Sequence, residues 1–153
     1  MELIPSFKID HTKLEPGIYV SRIDEVGGSW ATTFDVRMKR PNVEPAVEPA
    51  ALHTIEHIVA THLRNNPEWK DRILYWGPMG CLTGSYLIVK GRMDAAAVAP
   101  AVLAAFRSLR DYEGEIPGAT PECCGNSALH DLAGAKREAA AYVAVLEKRF
   151  GAG

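Results

Sequence analysis

Pro49-Ala50-Ala51-Leu52-His53-Thr54-Ile55-Glu56-His57-Ile58-Val59-Ala60-Thr61-His62-Leu63-Arg64-Asn65 carries two helical patterns at once. Leu52, Ile55, Val59 and Leu63 recur at the spacing of one helix face and form an apolar stripe. Pro49 suits a first helical turn, and Glu48 sits beside the positive end of the helix dipole. Asn66-Pro67 stops the pattern, so the segment predicts a helix from Pro49 to about Asn65. His53, His57, Ala60 and Arg64 line a second stripe, more than a quarter turn from the first. The histidines therefore point away from the helix's own core contact. Another segment, a substrate or a second subunit has to cover them.

Working outward, the strand signals come next. Gly17 to Ile23 reads as a strand, and Asp24 to Ser29, with Gly27-Gly28, as a turn. From Trp30 to Met38 the residues alternate. Trp30, Thr32, Phe34, Val36 and Met38 face one way, and Thr33, Asp35 and Arg37 the other, as in a half-buried second arm of a hairpin. Ile73 to Trp76 is a short apolar strand, broken by Gly77-Pro78-Met79-Gly80-Cys81, and strand character resumes over Gly84 to Lys90. Asp94 to Asp111 is Ala-rich and helical, with Pro100 blurring its start. Glu113 to Asn126 reads as a loop, and Asp131 as the N-cap of a last helix to about Phe150.

The bulk numbers bound the class. A chain of 153 residues that is 47% hydrophobic fits one ordinary globular domain, 1–153. A net charge of -2 argues against nucleic acid or an anionic membrane as the main partner. No apolar run is long enough to span a membrane. Met1-Glu2-Leu3-Ile4-Pro5 has neither the basic region nor the apolar run of a signal peptide. Three cysteines are a poor disulfide framework, so a reducing cytoplasm is the expected location.

The chemistry rests on His53-Thr54-Ile55-Glu56-His57. Histidines one helical turn apart can grip a single ion, and the glutamate between them can move protons. The plain alternative is a solvated polar helix face. A catalytic zinc or ferrous ion takes three protein ligands and keeps one position open. Cys124 is the strongest candidate for the third, because a thiolate suits both ions and Gly125 permits a tight turn. Cys123 is the other candidate, and in extended backbone only one of the two neighbours would reach the ion. Both also read as inert buried thiols. Cys81, in a glycine-flanked turn, reads as an acid or base beside the metal, or as another inert thiol. Ser6, His11, Asp35 and Arg37 carry no pattern of their own. The HxxEH motif also marks inverted-zincin peptidases, which use a downstream carboxylate ligand in much longer chains.

Several segments together resemble the S-ribosylhomocysteine lyase (LuxS) family. They are Ser6-Phe7, Asp10-His11-Thr12-Lys13, Thr33-Phe34-Asp35-Val36-Arg37 and Pro41-Asn42. They continue with His53-Thr54-Ile55-Glu56-His57, Leu63-Arg64-Asn65, Gly77-Pro78-Met79-Gly80-Cys81, Thr83-Gly84 and Cys124-Gly125-Asn126. The order and spacing run from near the N-terminus to the last helix. The resemblance implies an α+β fold, an antiparallel sheet packed against helices, in a homodimer with active sites at the interface. It implies cleavage of S-ribosylhomocysteine to homocysteine and 4,5-dihydroxy-2,3-pentanedione, the precursor of autoinducer-2, in methyl-group recycling and quorum sensing. It implies His53, His57 and Cys124 as ligands of Fe(II), with zinc or cobalt as substitutes. Cys81 and Glu56 become the acid/base pair, and Ser6, His11 and Arg37 substrate-binding residues, from the partner subunit.

The chain departs from the family pattern at Leu82, at Tyr75 and at Cys123, an extra thiol beside Cys124. Leu82 stands where an arginine usually follows the reactive cysteine, and Tyr75 where many members carry a carboxylate, so that Tyr75-Trp76 bears on how the homocysteine end is held. Leu82 keeps open a second reading, a divergent homologue that binds metal and ligand with little turnover. An HxxEH metallopeptidase is the third.

Overall fold

Gly27 and Gly28 have φ of 56° and 82°, the two positive values that a tight type I′ hairpin demands. In the computed structural model, which describes residues 1–151, they join β1 (Gly17–Val26) to β2 (Ser29–Arg37). The ladder closes at the Val26–Ser29 pair, so the strand runs three residues past Ile23 and the turn shrinks to the two glycines. Positive φ at both central residues matches the strand twist, and pairing can continue to the turn itself. A register shift between Val20 and Arg22 marks a bulge in β1.

The remaining strands, β3 (Ile73–Pro78) and β4 (Gly84–Lys90), complete an antiparallel sheet of order β1-β2-β4-β3. Where the sequence predicts a break at Gly77-Pro78, β3 carries on through both residues to pair with Tyr86 and Ser85. Pro78 ends the sheet's outer strand, a position where a missing N–H costs nothing. Gly84 faces β2 so closely that a Cβ there would collide with the Val36 carbonyl oxygen.

The predicted inward set holds for Thr32, Phe34 and Val36 of β2 and for Met38, one residue beyond the strand's end, all buried. Trp30, beside the hairpin, stays exposed, with the Arg92 guanidinium over its ring. Asp35 and Arg37 differ from a solvent-facing set, since both are 2% exposed. Burial of both charges is tolerated because they pair in two parallel hydrogen bonds, Arg37 Nε to Asp35 Oδ1 at 3.0 Å and Nη2 to Oδ2 at 2.5 Å.

Three helices, α1 (Pro49–Asn65), α2 (Ala95–Arg110) and α3 (Leu132–Phe150), bury the inward face of the sheet. Leu52, Ile55, Val59 and Leu63 of α1 are all buried, joined by Ile58, and meet Phe34, Leu87 and Val89 in one continuous core. The start of α2 lies ahead of Pro100, because the Asp94 carboxylate caps it by accepting the Ala97 N–H at 3.0 Å. Pro100 is carried inside the helix, where burial of Val98, Val102 and Phe106 outweighs one lost hydrogen bond. Asp131 caps α3 by accepting the Gly134 N–H, as its sequence position predicts. An Arg107–Glu147 ion pair at 2.7 Å ties α2 to α3. No helix among the described residues is long and apolar enough to cross a membrane.

Among the described residues no α-helix packs on the other face of the sheet; the short 3-10 turn Pro5–Phe7 borders it. A hollow of about 810 Å³ lies there, walled by Thr33, Tyr75, Tyr86 and Ile88 and bordered by Ser6 of the N-terminal segment.

Candidate metal centre and adjoining cleft

Two backbone carbonyls set the state of the paired histidines. A carbonyl only accepts, so His53 Nδ1–H donates to Leu129 O at 2.6 Å and His57 Nδ1–H to Pro117 O at 2.7 Å. Both Nε2 atoms are left as lone pairs, and they face each other at 3.1 Å. The Cys124 Sγ stands 3.5 Å from His53 Nε2 and 3.8 Å from His57 Nε2. Lone pairs at that separation repel unless a cation sits among them. With metal–nitrogen distances of about 2.0–2.1 Å and metal–sulfur of about 2.3 Å, a tetrahedral ion predicts edges of roughly 3.3–3.6 Å. The three donors therefore fit one divalent ion, and the carbonyls are the outer partners that such histidines use.

The positions of these donors follow from the local chain. α1 presents His53 and His57 on the stripe predicted to lie off its core face. Cys124 arrives on the loop before α3, in a turn where the Cys123 and Cys124 N–H groups both donate to Thr120 O, at 3.0 and 2.9 Å. The backbone is turned there rather than extended, yet the two thiols still diverge. Only Cys124 joins the donor cluster, while exposed Cys123 borders a hollow with Glu56, His57 and Gly118.

A further histidine reaches the cluster that the sequence pattern does not reveal. His130 brings a ring nitrogen within 4.8 Å of the other donors, its Nε2 at 4.0 Å from Cys124 Sγ. Burial, and then the closeness of the His53 and His57 rings to a charge on His130, hold its pKa below the ordinary histidine value. It lies at the mouth of α3, with no helical partner at ligand spacing, so only its place beside the cap Asp131 could have drawn notice.

Beside the cluster runs a cleft of about 350 Å³, with His53 and Glu56 on one wall and Met79, Gly80 and Leu82 on the other. Cys81 stands in the chain between Gly80 and Leu82 of that second wall, exposed, in the turn closed by the Leu82 N–H donating to Met79 O at 3.0 Å. Its Sγ is 3.0 Å from Thr83 Oγ1 and receives Arg37 Nη1 at 3.7 Å. Arg37 thus brings a buried cation to Cys81 although Leu82 brings none. Burial works against that guanidinium's charge, but the Asp35 carboxylate more than compensates and its pKa is raised. Leu82 has φ of 61°, a left-handed conformation that costs a non-glycine residue about 1–3 kcal/mol. Its carbonyl accepts the Val47 N–H at 2.8 Å, which helps hold the turn in place.

Ser6 and His11 stand apart from this cleft. Ser6 borders the hollow on the far face of the sheet, along with Tyr75, and His11 donates to its own neighbour Ile9 O at 2.8 Å. The structure thus gathers His53, His57 and Cys124, sets Glu56 across a cleft from the turn that carries Cys81, and joins Arg37 to Cys81.

Comparison with known proteins agrees in extent with this arrangement. The model of the family described as S-Ribosylhomocysteinase (LuxS) matches residues 4–150. The chain is 59% identical to a protein of Phocaeicola vulgatus named S-ribosylhomocysteine lyase, covering 94% of this chain and 89% of the relative. Proteins of the same name from Porphyromonas gingivalis and Desulfotalea psychrophila are 54% and 53% identical. The matches cover 94% and 93% of this chain, and 90% and 89% of those relatives.

Proposed function

The chain belongs to the S-ribosylhomocysteinase (LuxS) family, and from that membership we propose that it is a metal-dependent carbon–sulfur lyase acting on S-ribosylhomocysteine. Its products are homocysteine and 4,5-dihydroxy-2,3-pentanedione, and its setting is the cytoplasm. The observation that carries the metal dependence is the pair of carbonyl-locked histidines, whose facing lone pairs and adjacent thiol call for a cation.

His53, His57 and Cys124 would hold the ion, and imidazole with thiolate suits Fe(II), zinc or cobalt. When bound, the ion supplies Lewis-acid polarisation of substrate carbonyls. Glu56, on the cleft wall, and Cys81, on the turn between Gly80 and Leu82 that faces it, would exchange protons with the sugar chain. Each isomerisation takes a proton from the carbon beside the carbonyl and returns one to the former carbonyl carbon, so the C=O moves one position. Repeating the step brings the carbonyl to where loss of a neighbouring proton breaks the C–S bond and releases the homocysteine thiolate. Arg37, fixed by Asp35, holds the Cys81 sulfur in register for these transfers. The cation near Cys81 supports a turning-over enzyme over a ligand-binding homologue. A peptidase finds less support, since the third donor is a thiol and no carboxylate joins the cluster among the described residues.

The site is completed, in this reading, by a second copy of the chain. Ser6 and His11 lie apart from their own chain's cleft, and a partner's N-terminal segment would bring them to the substrate. The test is release of free thiol from S-ribosylhomocysteine by Fe(II)-loaded protein under anaerobic conditions. Release that chelation abolishes is expected; none above background would sink the proposal.

A further inference from the structure

We propose that His130 is a substrate-contacting residue at the open side of the metal centre, and not a fourth metal ligand. The inference rests on the lyase reading above.

The first argument is the direction of the rings. An imidazole binds an ion in its own plane, along the nitrogen lone pair. His53 and His57 meet at 85° with Nε2 atoms 3.1 Å apart, so their lone pairs can converge on one point. His130 instead lies face to face on His53, at 4.1 Å between centroids and 18° between planes. Rings stacked in this way carry their lone pairs side by side. Since the two ring planes are nearly parallel and offset, the plane in which His53 would hold an ion is not the plane of His130. The distance agrees, since 4.0 Å from His130 Nε2 to Cys124 Sγ exceeds the other two nitrogen–sulfur separations.

The second argument is the hydrogen-bond inventory behind the ring. Thr54 Oγ1 accepts the Asp131 N–H at 3.0 Å. Its one proton has two acceptors in reach, the Ala50 carbonyl at 3.1 Å and His130 Nδ1 at 3.0 Å. When the proton goes to Ala50, His130 Nδ1–H donates to Thr54 and Nε2 accepts from the site. When it goes to His130, Nε2–H donates to the site. Thr54 satisfies both tautomers, unlike the carbonyls behind His53 and His57, which permit only one. A metal ligand needs one fixed tautomer. A substrate oxygen that is a carbonyl at one stage and a hydroxyl at the next needs a partner that can both donate and accept. That alternation is what a migrating carbonyl presents, and we assign His130 Nε2 to hydrogen-bond such an oxygen.

The test uses Co(II)-loaded protein and the variants His130→Ala and His130→Asn. Competition against a chelator should give Co(II) affinity within about 3-fold of the unsubstituted chain, and proton NMR should show the same two hyperfine-shifted imidazole N–H signals in each. In a Cys81→Ser background, chosen to remove the acid/base thiol so that bound substrate is not turned over, S-ribosylhomocysteine should bind about 10-fold more weakly to His130→Ala, the scale of one hydrogen bond. A third N–H signal that the substitution removes, or a 10–100-fold loss of Co(II) affinity, would make His130 a ligand or a ligand support and overturn the inference. Unchanged substrate binding would overturn it too. Failure of the unsubstituted chain to bind metal or release thiol would instead count against the lyase reading itself.

Discussion

Leu129 O and Pro117 O occupy the Nδ1 atoms of His53 and His57 and leave only their Nε2 lone pairs for chemistry. The same scale separates the neighbouring thiols. Replacing Cys124 by alanine should remove most bound metal, measured by elemental analysis after desalting, while Cys123→Ala should retain it. The reverse would reassign the third ligand. Arg37 and Asp35 make a second residue-scale case. Asp35→Ala leaves a buried guanidinium unpaired, so urea denaturation should show a loss of about 3–5 kcal/mol. Turnover should fall too, as the cation beside Cys81 loses its anchor. An unchanged midpoint would mean that Arg37 finds solvent. The Asp35–Arg37 pair could not be read from sequence, because burial of alternate strand residues depends on what covers the second face of the sheet.

At the scale of elements, α1 was legible in full because its two stripes, its proline start and its Asn-Pro stop all agree. The hairpin was legible in place but not in length, since only the glycine φ values show that pairing reaches the turn. β3 outran its predicted end because Pro78 falls where the sheet asks for no donor. His130 escaped notice because residues brought together by a loop and a helix mouth share no period. Gly84 shows what element packing adds. A methyl group there would press on the Val36 carbonyl, so Gly84→Ala should separate β2 from β4 locally. The expected loss is about 1–3 kcal/mol in thermal or urea unfolding. A neutral result would mean that the strands can part without cost.

For the whole molecule, α-helices cover one face of the sheet, and among the described residues none packs on the other. Tyr75 is 47% exposed there, Ile4 borders the same hollow, and Leu3, Ile4 and Phe7 of the N-terminal segment are exposed. A second copy seated on this face would cover them and carry Ser6 toward the other chain's cleft. Light scattering should then report two 16.7 kDa chains per particle. Tyr75→Glu should shift the particle toward one chain and lower turnover in parallel. An active single-chain particle would contradict the shared site.

The most direct test of the central claim is the pair of products. Anaerobic Fe(II)-loaded protein is given S-ribosylhomocysteine, and both homocysteine and the five-carbon diketone, trapped by an aromatic diamine, are quantified. Equal amounts of the two, lost together on chelation and in Cys124→Ala, are predicted. Thiol without the diketone, or equal activity after the metal is removed, would contradict it.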